Sequence, residues 1–287
     1  MVDSARELTE AALLAAEQDY SGRQLLGARE GQEDAYGVVP PEELGEGRND
    51  LLVLVADGMG GHAAGEVASA LAVERVAARF VADAGTGESD MARLWDALEE
   101  ANDSIGEKIR ESGGSLEGMG TTLVALLIRG KVAHWISVGD SSLYLVRDGQ
   151  ASLLNEMHIW ANKLDEEARE GLITEEEALN DEKRHRLMSA LVGERLFEVD
   201  DSDPLILEPG DILLAATDGL ETLALEELEG LVNDAKSQPV GELVDAIMEE
   251  VRMKGRPNQD NVTLVAVRMP EGSDQAKPEC DDVTAKF

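Results

Sequence analysis

Residues 121–154 read TTLVALLIRGKVAHWISVGDSSLYLVRDGQASLL. Apolar and β-branched residues fill four short runs, 121–128, 131–138, 142–146 and 151–154, each of strand length rather than helix length. Arg147-Asp-Gly-Gln150 carries the Asp-Gly pair that suits a tight hairpin turn. Strands this close together leave no room for crossover helices, so the stretch predicts an antiparallel meander.

Upstream, residues 32–39 and 51–56 read as strands, and Leu51-Leu-Val-Leu-Val-Ala56 is the unbroken apolar run of a buried sheet. Pro40, Pro41, Gly45, Gly47 and Asn49 between them are turn residues. Residues 65–81 and 91–109 read as two long helices, ended by Gly113-Gly114, and Ser4-Ala-Arg-Glu7 fits a capping box opening a short N-terminal helix to about residue 17. Downstream, residues 156–200 are charged and helical, with Thr174-Glu-Glu-Glu177 as a helix start, and they interrupt the strand series as an inserted flap. Strands at 205–207, 211–217 and 262–268 and helices at 226–233 and 240–253 complete the series. The order predicts an α/β fold, a central antiparallel β-sandwich flanked by helices on both sides (α-β-β-α) with a helical flap. The expected organisation is an N-terminal appendage at 1–20, a catalytic domain at 21–269 and a disordered tail at 270–287.

Composition narrows the function. The chain has 287 residues, 43% of them hydrophobic, enough for one large domain. Its formal charge of −35, from 60 acidic and 25 basic residues, repels nucleic acid and anionic membranes; most of it reads as solvated surface. With no long apolar segment and no signal-like start, a soluble cytoplasmic protein is expected, with no membrane partner. The single cysteine, Cys280, supports neither a disulfide framework nor a thiolate metal cluster, and leaves no buried cysteine nucleophile.

Five aspartates stand at strand boundaries: Asp57, Asp140 and Asp218 after strands, Asp34 and Asp260 before them. In an antiparallel sheet the end of one strand lies beside the start of the next, so all five can gather on one edge. Alone, an Asp-Gly after a strand is usually a turn. Gathered carboxylates instead call for cations, and an all-oxygen donor set suits Mg²⁺ or Mn²⁺. The run Asp57-Gly-Met-Gly-Gly-His62-Ala-Ala-Gly65-Glu66 is richer in glycine than a turn needs and lets backbone carbonyls approach an ion.

Six motifs in order resemble those of the PPM (protein phosphatase 2C) family of metal-dependent serine/threonine phosphatases. They are Arg29-Glu-Gly-Gln-Glu33-Asp34, Val55-Ala-Asp57-Gly-Met-Gly-Gly-His62 with Gly65-Glu66, Gly120-Thr121-Thr122, Val138-Gly139-Asp140-Ser141, Thr217-Asp218-Gly219-Leu220 and Gln259-Asp260-Asn261-Val262-Thr263. The resemblance spans about residues 21–268. It implies that Asp57 bridges two Mn²⁺ or Mg²⁺ ions, with the Gly58 carbonyl completing the first and Asp218 and Asp260 the second. Glu33 and Asp34 would hold metal-bound waters, and Asp140 with Asp218 would frame a weaker third site. Arg29 would grip the substrate phosphate by its guanidinium fork, and a bridging hydroxide would attack phosphorus. Phosphorylated proteins are the implied substrates, a bacterial Ser/Thr kinase and its targets the implied partners, and a monomer the expected state.

Three positions depart from the family pattern. Met59 stands where some relatives carry a histidine that can act as general acid, so the acid is unassigned. Met157-His158-Ile159 replaces a common Asp-His-Ser, which puts the anchoring of the flap in doubt. The flap's Arg184-His185-Arg186 reads as a charged helix face with a second reading as a phosphoprotein contact, and His62 as a capping or packing residue. Among rivals, a pseudophosphatase would have no need of the aspartates, an EF-hand lacks its ligand spacing here, and a dinucleotide site lacks its glycine pattern.

Overall fold

The computed structural model describes residues 14–44, 50–60, 63–82 and 87–270. In chain order, β1 (Tyr20–Leu25), β2 (Ala35–Val39), the single-turn helix α1 (Pro41–Leu44), β3 (Leu51–Ala56) and β4 (Gly58–Met59) lead into the long helices α2 (Ala63–Ala82) and α3 (Asp90–Glu111). Then come β5 (Gly120–Thr121), β6 (Leu123–Arg129), β7 (Val132–Val138), β8 (Ser142–Arg147) and β9 (Gln150–Leu153), and the flap helices α4 (Trp160–Arg169) and α5 (Glu175–Asn180). The chain closes with β10 (Asp200–Asp201), β11 (Leu205–Ile206), β12 (Ile212–Ala216), α6 (Leu225–Asp234), α7 (Val240–Lys254) and β13 (Val262–Arg268).

Two antiparallel sheets face each other, one ordered β1-β13-β12-β8-β9 and the other β10-β7-β6-β3-β2, with β11 also on β7. Strand β3 explains why both must be covered. Leu51, Val53 and Val55 point into the core between the sheets, beside Val124, Leu126, Leu213 and Val265. Leu52, Leu54 and Ala56 alternate to the other face and meet Val76 and Phe80 of α2 and Leu94 and Leu98 of α3. A strand buried on both faces loses the apolar-polar alternation and becomes a continuous apolar run. On the other sheet, Leu214, Ala216, Leu264 and Ala266 pack against Leu243, Val244 and Ile247 of α7. The result is the expected four-layer α-β-β-α sandwich. Among the described residues, no helix is long and apolar enough to cross a membrane.

Three local features depart from expectation. The expected strand at 121–128 is broken at Thr122, because residues 120–121 pair with Gly58-Met59 in a separate ribbon before β6 begins. Strand β1 carries no apolar alternation that would mark it in the sequence; Tyr-Ser-Gly-Arg-Gln-Leu is polar and sits at a sheet edge, where it pairs antiparallel with β13. The helix expected over 4–17 lies outside the described residues up to 13, and residues 14–17 are not helical. Leu14 is instead 4% exposed in the core between the sheets, and the carbonyls of Glu17 and Gln18 accept from Gly241 and Val240 at the start of α7. The segment after Pro270 lies outside the described residues.

The flap's return is pinned to α3. Asn102 accepts from the Val192 and Gly193 N–H groups at 3.1 and 2.9 Å and donates to the Glu194 carbonyl at 2.6 Å. There α3 passes so close that a Cβ on Gly106 would stand 2.7 Å from the Gly193 carbonyl oxygen. Helix propensity alone favours Gly106→Ala by about 1 kcal/mol, whereas forcing an atom into a filled contact costs about 1–3 kcal/mol. Gly106→Ala is therefore expected to lower the melting temperature; a rise in thermal denaturation would show that the flap return does not bear on α3 as described.

Candidate active site

Antiparallel pairing does gather the strand-boundary carboxylates. Ala35 pairs with Ala56 and brings Asp34 beside Asp57; Ala216 pairs with Leu264, and the Thr217 N–H donates to the Thr263 carbonyl, which brings Asp218 beside Asp260. Asp140 follows β7, whose last residue pairs with Leu123 next to Thr122. Arg29, Glu33, Asp57, Gly58, Asp140, Asp218 and Asp260 all line one cavity of about 340 Å³, together with Met59, Thr122, Asn261 and the flap residue Leu187. Asp34 stands apart from this lining. It is buried, and its Oδ2 accepts from the Thr217 and Thr263 hydroxyls, each at 2.8 Å.

Backbone bonds fix the wall. The Asp57 N–H donates to Thr122 Oγ1 at 2.9 Å, and the Asp57 carbonyl accepts from Thr121 Oγ1 and the Thr122 N–H, both at 2.9 Å. Thr122 Oγ1 lies 2.6 Å from Ser141 Oγ, tying the Asp57 turn to the Asp140 turn. Gly58 donates to the Glu33 carbonyl at 3.1 Å, and any Cβ at 58 would collide with the Gly65 and Glu33 carbonyl oxygens at 2.2 and 2.4 Å. Only glycine permits that approach. Asn261 accepts from the Glu33 N–H at 2.8 Å and donates to the carbonyls of Leu26 and Gly31, so it sets the Arg29-to-Asp34 loop against Asp260. Arg29 Nη2 reaches Asp260 Oδ2 at 2.5 Å.

Electrostatics mark the cluster as short of positive charge. Burial, then Asp34, Asp218 and the other carboxylates, push the Asp57 pKa up to about 9. Burial raises Asp34 to about 6 against the pull of its two threonine hydroxyls, and burial with the charge of Asp218 raises Asp140 to about 6. Asp218 is raised by burial and by Asp260, opposed by a hydrogen bond with Asp57 and by the Arg29 charge. Asp218 Oδ1 is buried with no hydrogen-bond partner, a costly position for a carboxylate oxygen unless a cation meets it. Among the described residues no three His, Cys, Asp or Glu side chains already close on a bare ion. An open oxygen-lined cavity with an orphaned carboxylate oxygen fits divalent ions that keep part of their water, as Mg²⁺ does, better than an all-protein cage.

Several supporting residues were not singled out from sequence as parts of the site: Asn261, Thr122, Thr217 and Thr263. Each lies inside or beside a motif, but its role depends on which way its side chain turns. The doubt about flap anchoring is also answered. His158, 4% exposed, accepts from the Gly139 N–H through Nδ1 at 3.0 Å, while its own N–H donates to the Gly139 carbonyl at 2.9 Å and its carbonyl accepts from Met188 at 2.8 Å. Asn162 holds the Met157 carbonyl, so the flap is anchored without the side chain at 157. Within the basic triplet, Arg184 is committed to Asp165 inside the flap at 2.8 and 3.0 Å. His62 lies outside the described residues.

The chain matches the family model described as protein phosphatase 2C over residues 31–259. It is 34% identical over 218 residues to the serine/threonine protein phosphatase PstP of Mycobacterium tuberculosis, a match covering 75% of this chain and 39% of that protein, so the chain spans about two-fifths of that relative's length. It is 33% identical over 257 residues to the serine/threonine phosphatase stp of Listeria welshimeri, covering 86% of this chain and 94% of the relative. The crystal structure of the catalytic domain of PstP in complex with two manganese ions aligns with a TM-score of 0.68 at 32% identity, over 87% of this chain and 97% of that one.

The raised carboxyl groups give a signed pH dependence. Their folded-state pKa values lie above that of a free carboxyl, so they favour the fold below about pH 4 and lose that contribution as pH rises through about 6 and then about 9. Metal-free protein is expected to lose thermal stability across that window. Mn²⁺ is expected to raise the melting temperature more at about pH 8.5 than at about pH 5.5, with protons released on binding. A Mn²⁺-induced shift that does not grow with pH would contradict a cation site at this cluster.

Proposed function

Because the chain belongs to the protein phosphatase 2C family, we propose that it hydrolyses phosphoserine and phosphothreonine in proteins at a dinuclear Mn²⁺ or Mg²⁺ site. The observation that carries this reading is the convergence of Asp57, Asp218 and Asp260 with Arg29 on one cavity. Asp57, the Gly58 carbonyl, Asp218 and Asp260 would hold two ions, Glu33 and the Asp34 oxygen that Thr217 and Thr263 leave free would hold water on them, and Asp140 with Asp218 would frame a third, weaker site. Bound there, divalent cations supply a nucleophile from water at neutral pH and countercharge for phosphoryl oxygens.

The chain's own groups do the rest. Arg29 presents N–H donors to the phosphoryl oxygens, where a planar fork matches two oxygens at once. Asp260 holds that guanidinium at the cavity rim, and Asn261 keeps the loop carrying Arg29 and Glu33 in register with Asp260. Thr122 carries the only hydroxyl among the described residues that line the cavity, and it is engaged by the Asp57 N–H and Ser141. With that hydroxyl engaged and the cavity carboxylates assigned to the ions and their water, water rather than a side chain is the attacking group, and no phosphoenzyme forms. Met59 lines the cavity but has no proton to give, so protonation of the leaving alkoxide falls to water or another group. The same reading has the protein work in the cytoplasm as a monomer, reversing a serine/threonine kinase.

Purified protein is expected to hydrolyse a phosphothreonine peptide with Mn²⁺, to stop in EDTA, and to lose turnover in Asp218→Ala. Arg29→Ala is expected to lower kcat/KM by roughly 10²-fold, the scale of removing one preorganised donor to a developing anion, with Arg29→Lys recovering little of it. No turnover despite intact Mn²⁺ binding would instead favour a binding module that keeps the fold.

A further inference from the structure

A second cavity, of about 960 Å³, lies among the end of β9, α4 and the flap's return. Its apolar lining is Leu153, Met157, Ile159, Met188, Phe197 and Val199. Leu153 is 44% exposed, Met188 38% and Phe197 83%. The other nine lining residues are polar or charged, so the groove offers three open apolar side chains set within a polar rim.

The groove shares a wall with the catalytic cavity. Leu187 lines the cavity and its neighbour Met188 lines the groove. Ile159, in the groove, forms an antiparallel bridge with Leu187. His158 lines the groove while holding Gly139, next to Asp140 in the cavity wall. Leu187 and Met188 sit on opposite faces of this surface segment, so a polypeptide whose phosphorylated side chain enters the cavity reaches the groove by crossing over the segment.

We propose that this groove binds apolar side chains flanking the phosphorylated residue of the substrate protein, so that the substrate class is phosphoproteins with a Leu-, Met- or Phe-like residue near the phosphosite. The inference rests on the phosphatase reading above and adds the source of selectivity. The charge of −35 works against a phosphorylated segment at long range, so discrimination must come from short-range contacts, and burying one apolar side chain accounts for on the order of tenfold in apparent affinity.

The test uses the Mn²⁺-loaded protein on phosphothreonine peptides in which one Leu or Phe is moved through the flanking positions of an otherwise Ser/Gly sequence. p-Nitrophenyl phosphate serves as a substrate too small to reach the groove. Expected are a rise in kcat/KM of about tenfold at a preferred position, carried by KM, and its loss in Phe197→Ser and in Phe197→Ser/Met188→Ser with p-nitrophenyl phosphate turnover and Mn²⁺ binding unchanged. Phe197 is exposed enough for its single substitution to stand alone if the double variant does not fold. Equal turnover at every apolar position, or variants that lose peptide and small substrate together, would overturn the groove. Absence of p-nitrophenyl phosphate turnover in the unsubstituted protein would instead overturn the phosphatase reading beneath it.

Discussion

Carboxylates crowded into one half-buried place oppose each other and oppose burial, and much of this structure is organised around that conflict. Asp34, Asp57, Asp140 and Asp218 are all held above the usual carboxylate range, with burial as the first cause in each. A sequence under selection for stability alone would not gather them. The sandwich tolerates them because the opposing forces are met separately: threonine hydroxyls on Asp34, a guanidinium on Asp260, and paired backbone bonds that fix Asp57 without using its carboxylate. Asp218 Oδ1 is left with no such partner. Strain of this kind, kept where the chain could have avoided it, is characteristic of a site.

The rigidity that holds the conflict in place comes from apolar packing on three levels, helices on each outer face and one core between the sheets. Because strand ends carry the carboxylates, their spacing is set by sheet register rather than by loops. A slip of one residue would turn every side chain of a strand to its other face. Leu51-to-Ala56, buried along its whole length on both faces, fixes that register most firmly, and Asp57 follows it directly.

What could be read in the sequence follows the same physics. The gathering of five aspartates was legible because antiparallel pairing places strand ends and starts together whatever the side chains do. The strand Leu51–Ala56 was legible because double burial leaves no polar positions. Strand β1 was not, since an edge strand with Gly22 and Arg23 at its centre has no apolar pattern to display. That Asp34 gives one carboxylate oxygen to Thr217 and Thr263 was equally invisible, because those residues come from the end of β12 and from β13 and turn their hydroxyls toward it. Residue identity announces a carboxylate; its neighbours in space decide which of its oxygens is left free.

The flap raises a different kind of question. A cluster of carboxylates and one arginine acts on the phosphoryl group, which is the same in every phosphoserine and phosphothreonine, so chemistry at the cavity cannot by itself tell one protein from another. Recognition has to come from surface beyond the reacting atoms, and that surface has to be fixed relative to them if binding is to align the phosphate. The anchoring supplies this fixity from both ends. His158 binds both backbone groups of Gly139 beside Asp140, and Leu191 exchanges two hydrogen bonds with Thr121 beside Thr122, whose hydroxyl accepts from Asp57. Contacts made on the flap are thus transmitted to the turns that carry Asp57 and Asp140 through few and short links, and a substrate held by the flap is held in register with the carboxylates.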